Sequence, residues 1–355
     1  MPKKSARFRV ASSLLFLALA FLLFETSLRL WWPQSPALEG PAVSSQDVQM
    51  GRPYPANSHL RYYLPERTVD LQFNAEGMRD AASHPIPKPP GVFRILLVGD
   101  SFTAGMANQY EEIWPVLLER RLTGKRGAID VIKAGVDSFD TLSELLTMRR
   151  LIPRYHPDLV LMAFLPNDIF DNTLQDNSSS AALVPIQAGL SLPGLQSALF
   201  FRRVLLRSDL IYSGVYWMTS RRQYFTEAGT RHSSEQYAIT RELLSRASQY
   251  AGSEGSRFAV ASIPQCFQVL AKARNIRLPG LSTDIVDRRL GLLAAERGFP
   301  WLASLDTLAA HYRVHREDLY YREDGHFTPL GNQVFGEWLT GELLRLYGED
   351  LQRRA

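Results

Sequence analysis

From residue 92 onward, compact apolar runs alternate with amphipathic helical patterns, and this alternation limits the fold more than any other feature of the chain. VFRILLV reads as a buried strand, WPVLLERRL from Trp114 as a helix, AIDVIKAGV as a second strand and TLSELLTMRRLIPRY from Thr141 as a second helix. DLVLMAFL is a third strand. SRFAVASIP and PWLASL have the same character, with the helical IVDRRLGLLAAERG between them, and NQVFGEWLTGELLRLYG closes the series as a helix. Strands alternating with helices predict a parallel sheet covered on both faces. In such sheets ligands bind beyond the carboxyl ends of the strands. The alternation breaks from about Asn172 to Glu235, where a Ser-rich piece precedes LFFRRVLLRSDLIYSGVYW, a mixture of large apolar side chains and arginines. This insert reads either as a lid or membrane-facing surface, or as a helical pair packed on the domain.

The N-terminal end is of a different kind. Val10 to Phe24 is fifteen residues without a charge, whereas a hydrocarbon core needs about 20. The sequence extends the run: Glu25 and Arg29 stand four apart and can pair on one helix face, and Leu28, Leu30, Trp31 and Trp32 continue the apolar surface until Pro33. Lys3, Lys4, Arg7 and Arg9 in front and two tryptophans behind predict a cytoplasmic N-terminus, with everything after residue 33 outside, hence periplasmic in a Gram-negative cell. A cleaved signal peptide is the alternative, since its apolar region spans about 7–15 residues. The Ala18-Leu19-Ala20 triplet lies inside the apolar run with no polar segment before it, which favours an uncleaved anchor. Export is common to both readings, and the single Cys266 suits an oxidising compartment because it cannot form an internal disulfide.

Without the four basic residues of the flank, the formal charge of +4 becomes a balance of 36 basic against 36 acidic residues. No basic stripe with interleaved aromatics remains to mark a nucleic-acid partner. The chain therefore divides into a basic flank at 1–9, a membrane anchor at 10–32, a linker at 33–91 that carries ten of the 21 prolines, and a domain at 92–348 with an insert at about 172–235. Within the linker, Tyr62-Tyr63 and VDLQF can pair as short strands, and NAEGMRD from Asn74 to Asp80 has the turn chemistry of a packed loop.

Four pieces carry chemistry. VGDSFTAG places Ser101 where the first strand runs out, at the sheet's carboxyl edge, with its own N–H available to an oxyanion; alone, Asp-Ser after a strand is an ordinary helix cap. In YYREDGHFTPLGN an acid two before His326 can hold the imidazole in the tautomer that accepts a serine proton. Gly135, after the second strand, offers an unobstructed N–H, and Asn167, after the third, offers a side-chain amide; both donors suit a developing alkoxide. Read separately, they are a turn residue and a cap. All four fall at one edge of the predicted sheet.

GDSF, a Gly after the second strand, Asn-Asp after the third and DGHFTPLGN near the end, in that order, resemble the SGNH hydrolases, the GDSL-like lipases and esterases. The similarity covers about residues 92 to 346. It implies a three-layer α/β/α sandwich with a central parallel sheet of the flavodoxin-like kind, and a triad of Ser101, His326 and Asp324. Ser101 N–H, Gly135 N–H and the Asn167 amide would line the oxyanion hole. NAEGMRD followed by the Pro-rich stretch resembles the membrane-tethered branch of the superfamily, some of whose members modify envelope polysaccharides.

This chain departs from the family pattern at three points. Leu165 stands where a Gly usually precedes the Asn by two, Lys133 stands where an Asn often precedes the Gly by two, and Glu323 occupies the three-before-His position that many members use for the acid. The expected activity is hydrolysis of acyl esters, O-acetyl groups on envelope carbohydrate among them, through an acyl-enzyme and without a cofactor or metal. His311 and His315 in HYRVH lack the Glu of a zincin helix and read as a solvated helix face. An O-acyltransferase of the same mechanism, a lipase or lysophospholipase, and a non-catalytic glycan-binding module in an envelope assembly remain open beside it.

Overall fold

The structure, a computed structural model, describes residues 2–33, 54–64, 66–81, 84–123, 129–172 and 194–353. The first helix, α1, runs Pro2–Trp31. From Phe8 to Trp31 it is long and apolar enough to cross a membrane, and almost none of that stretch is covered by the rest of the chain. An antiparallel hairpin follows, β1 (His59–Tyr63) and β2 (Thr68–Gln72).

The domain proper begins with β3 (Phe93–Gly99), α2 (Ser101–Ala104), α3 (Trp114–Thr123), β4 (Ile129–Gly135), α4 (Thr141–Tyr155), β5 (Leu159–Phe164) and α5 (Asp168–Asp171). After the undescribed 173–193 come α6 (Gln196–Leu206), α7 (Asp209–Trp217) and α8 (Arg231–Ser253). The chain closes with β6 (Arg257–Ser262), α9 (Cys266–Arg274), α10 (Ile285–Arg297), β7 (Trp301–Ala303), α11 (Leu305–His315) and α12 (Pro329–Arg353).

The five domain strands form one parallel sheet in the order β4-β3-β5-β6-β7. Every residue of β3 and β5 is buried, which is why these strands read as unbroken apolar runs rather than as alternating ones. The path leaves β3 toward β4 and then reverses to β5, so right-handed crossovers put α3 on one face and α4 on the other. α12 packs beside α3, while α8 packs beside α4 and α10 beside α8. The result is an α/β/α sandwich whose switch point lies between β3 and β5, where such sheets open a crevice for ligands.

The hairpin is not a free spacer. Val69 and Leu71 are fully buried with Tyr54, Leu64 and Phe73 against Ala104, Met106, Ala107, Val136 and Phe139, forming a second, smaller core over the end of α2. The Asn74 carboxamide oxygen accepts from Glu76 N–H and Met78 N–H, closing the turn that sends Arg79 inward. Arg79 is 1% exposed and donates to the carbonyls of Ala104 (2.8 Å), Gly105 and Asn108 (2.6 Å). Ala104 ends α2, where helical carbonyls lack an intrahelical partner, and the Gly105 carbonyl also accepts from Asn108 N–H at 3.0 Å.

Candidate active site

The switch point fixes where the chemistry-bearing residues fall. β3 ends at Gly99, and the chain turns at once into α2, with the Asp100 carboxylate capping Phe102 N–H at 2.9 Å. Ser101 opens this four-residue helix and is 1% exposed. Gly105 ends it in the left-handed conformation (φ 68°) that a residue with a Cβ adopts only at a cost. α2 lies so close to the end of β4 that a Cβ on Gly135 would stand 2.4 Å from Ala104 N. Close approach therefore requires glycine here, a reason independent of the donor role read in the sequence.

His326 arrives from the far end of the chain, on a tight loop between α11 and α12. Tyr321 N–H donates to the His326 carbonyl (2.8 Å), Tyr320 pairs with Phe327, and Gly325 has φ 91°. The loop rests on Phe102, whose ring centroid lies 4.9 Å from that of His326 and 5.0 Å from that of Phe327. His326 Nε2 is 2.7 Å from Ser101 Oγ, and His326 Nδ1 is 2.7 Å from Asp324 Oδ2. The same carboxylate oxygen accepts from His326 N–H at 3.2 Å. Glu323 points elsewhere: its carboxylate takes the Arg203 guanidinium at 2.5 Å. The acid that touches the imidazole is Asp324.

Asn167 follows β5 at the start of α5 and is 4% exposed. Its amide stands near the Asp100 carboxylate and favours that group's charged form. A carboxamide carries two N–H donors. Leu165 turns into the main core instead of lining a passage. Lys133 is buried and paired with Asp80 (3.0 Å) and Glu119 (2.8 Å), away from the serine.

The electrostatics are those of carboxyls gathered around one imidazole. Burial lowers the pKa of His326, but Asp324 through charge and hydrogen bond, then Asp137 and Asp100, outweigh it and lift the ring to about 9. Burial raises Asp100 to about 7 against the Phe102 N–H, the His326 ring and the Asn167 amide, which all favour its charged form. Asp137 is raised by burial as well, and its N–H donates to Tyr54 Oη at 2.9 Å. Burial, and after it repulsion from neighbouring carboxylates, Asp100 and Asp140 among them, push Glu144 and Asp168 well above the ordinary carboxylate range.

No family model and no curated protein matches the chain. Solved structures do. TesA shares 15% identity over 71% of this chain and 99% of its own, with a TM-score of 0.44. A member of the lipolytic protein G-D-S-L family from Veillonella parvula shares 12% over 71% of this chain and 98% of its own, at 0.43. The psychrotrophic esterase EstA from Pseudoalteromonas shares 12% over 72% and 99%, at 0.43. The G-D-S-L family is the one that the sequence motifs resemble.

Sequence reasoning singled out Ser101, Gly135, Asn167, Asp324 and His326, and the fold gathers them at one edge. It passed over Asp100 as a functional residue, and Asp137, Arg79 and Glu66 altogether. Asp100 was legible as a cap. The Glu66 carboxylate, at the hairpin turn, accepts from Glu323 N–H at 2.8 Å, one residue from Asp324. Arg67 beside it pairs with Glu112 (2.9 Å) and donates to Tyr321 Oη (3.1 Å).

Proposed function

We propose that the chain is a serine esterase that cleaves acyl esters through an acyl-enzyme, with O-acetyl groups on envelope carbohydrate as the substrate class. The observation that carries this reading is the continuous relay Ser101 Oγ, His326 Nε2, His326 Nδ1, Asp324 Oδ2, with both hydrogen bonds at 2.7 Å. In its neutral form the imidazole donates Nδ1–H to Asp324 and accepts the serine proton at Nε2. Ser101 Oγ then bonds to the ester carbonyl carbon, and the carbonyl oxygen takes up negative charge. Ser101 N–H, Gly135 N–H and the Asn167 amide are the proposed donors to that oxygen. Collapse breaks the bond to the alcohol, which leaves with the proton from His326. Water, deprotonated by the same nitrogen, attacks the acyl-Ser101 carbonyl and frees the acid.

α1 is proposed as an uncleaved anchor with its N-terminus in the cytoplasm, so that the domain acts outside the membrane. Its length and composition over Phe8–Trp31 and the basic residues ahead of it support this.

The test is labelling of the full-length detergent-solubilised protein with a fluorophosphonate, followed by turnover of p-nitrophenyl acetate and of a long-chain homologue. Labelling and release that vanish in Ser101→Ala and His326→Ala are expected, with acetate the faster substrate. A folded protein that neither labels nor hydrolyses either ester would defeat the reading, and preference for the long chain would replace acetyl esters with lipid esters.

A further inference from the structure

Beyond Trp32, nine large apolar side chains stand exposed among the described residues, and six of them lie on or just after two consecutive helices: Phe201, Val204 and Leu205 on α6, Leu210 and Ile211 on α7, and Met218 just after it. The other three, Ile86, Leu292 and Val314, are scattered, and single exposed apolar residues need no explanation. On α6 the spacing of three and four defines one helix face, and Ile211 and Met218 are two turns apart on one line. The opposite faces are already committed. Arg203 bonds Glu323, Tyr212 and Tyr216 are buried, and Tyr216 stacks on Phe267 at 3.9 Å. An apolar face gathered in this way marks a contact surface.

Its position along α1 decides what that surface meets. The Glu25 carboxylate caps α6, accepting from Gln196 N–H (2.9 Å) and Ser197 N–H (2.8 Å), and Arg29 reaches the Gly194 carbonyl. Phe24 packs against Phe200 (5.7 Å) and Phe201 (5.9 Å), and Trp32 packs against Phe200 (5.7 Å). All these contacts come from the last turns of α1 and the residue after it. A helix rising about 1.5 Å per residue crosses a hydrocarbon core of about 30 Å in about 20 residues. Counted from Val10, the far boundary falls near Arg29. α6 is thus docked on the membrane-crossing helix close to that boundary, where the exposed Phe201 meets Phe24 of α1.

We infer that α6 and α7 form a membrane-contact platform, with Phe201, Val204, Leu205, Leu210, Ile211 and Met218 seated at the headgroup–acyl boundary of the far leaflet. The platform is joined to the catalytic loop at the two residues just before Asp324: Arg203 of α6 holds Glu323, and Asp209 of α7 accepts from Arg322 at 2.9 Å. Ser101 and His326 therefore work at the bilayer surface rather than at the end of a loose tether. This rests on α1 spanning the membrane and is independent of what ester the site cleaves.

The experiment uses full-length protein in nanodiscs of zwitterionic and anionic phospholipid. An environment-sensitive fluorophore is placed at Leu205→Cys or Leu210→Cys, with Leu15→Cys within α1 and Leu292→Cys and Val314→Cys on other helices of the domain as references. The buried Cys266 stays in place, and the unlabelled parent is the blank. All five side chains are exposed, and thermal unfolding matching that of the parent checks the fold. Lipids spin-labelled near the headgroup should quench positions 205 and 210 several-fold more than 292 and 314. Quenching at 15 with none at 205 and 210 overturns the platform while leaving the anchor. A blue-shifted but unquenched signal at 205 and 210 overturns it in favour of a protein partner or a second copy, and no quenching at 15 removes anchor and platform together.

Discussion

Asp137 illustrates how one side chain outside the relay can set the pH at which the relay works. An imidazolium cannot take the serine proton, so a ring held near 9 predicts that kcat/KM for a short ester rises as pH increases toward that value. Asp324, Asp137 and Asp100 all favour the charged ring. Asp137→Asn should move the acid limb of the kcat/KM profile to lower pH, by a fraction of a unit to about one unit, with the folded protein otherwise unchanged. An unmoved limb would show that Asp137 does not act on His326. Asp324→Asn should lower kcat about 10⁴-fold by losing the productive tautomer, whereas Glu323→Gln should leave kcat near wild type because Glu323 faces Arg203. Asn167→Ala should lose about 10²–10³-fold while remaining folded. Which acid lies on His326 was open at sequence level, because residues one apart in a loop separate only when the backbone turns one of them away.

Secondary elements differ in how plainly they can be read. β3 and β5 are unmistakable because a strand buried on both faces has no polar alternation to dilute it. α2 and α5 are four residues each, too short to show a helical period, and yet they position Ser101 and Asn167. The Pro-rich character of 33–91 gives little sign that Arg79 supports α2, since the carbonyls it meets lie some 25 to 29 positions on. Arg79→Met should cost on the order of 3 kcal/mol, as charge-assisted bonds to carbonyls are lost, and would be seen as a lower Tm.

The same segment carries His84, held between Asp130 (2.6 Å) and Asp80 (3.1 Å). Burial opposes its charge, but the two carboxylates prevail and raise it from 6.5 to about 9. The stabilisation is complete below the unfolded value and is lost as pH rises through about 9. Tm should therefore fall more steeply between about pH 7 and 10 in wild type than in His84→Gln.

At the scale of the whole molecule, the hairpin and the turn after it brace both arms of the site. Arg79 holds the serine helix, and Glu66 and Arg67 hold the histidine loop. A chain starting at Phe93 keeps every strand of the large sheet and lacks all three. It should label poorly with a fluorophosphonate, whereas one starting near residue 40 should label as the full chain does. Equal labelling of the two would mean that the bracing is dispensable. The parallel alternation of strands and helices was legible because each crossover carries its own helical pattern, while the bracing of the histidine loop was not, since it joins positions more than 250 apart.

The serine and its histidine are 225 positions apart in the chain. At synthesis rates of about 5–20 residues per second, Ser101 leaves the ribosome about 10–45 seconds before His326 exists. For that interval the nascent chain carries a nucleophile without a base and, by the assignment proposed above, already has its membrane helix in place. By that assignment acyl chemistry cannot begin until His326 has been made, which keeps the growing chain inert toward esters over the interval.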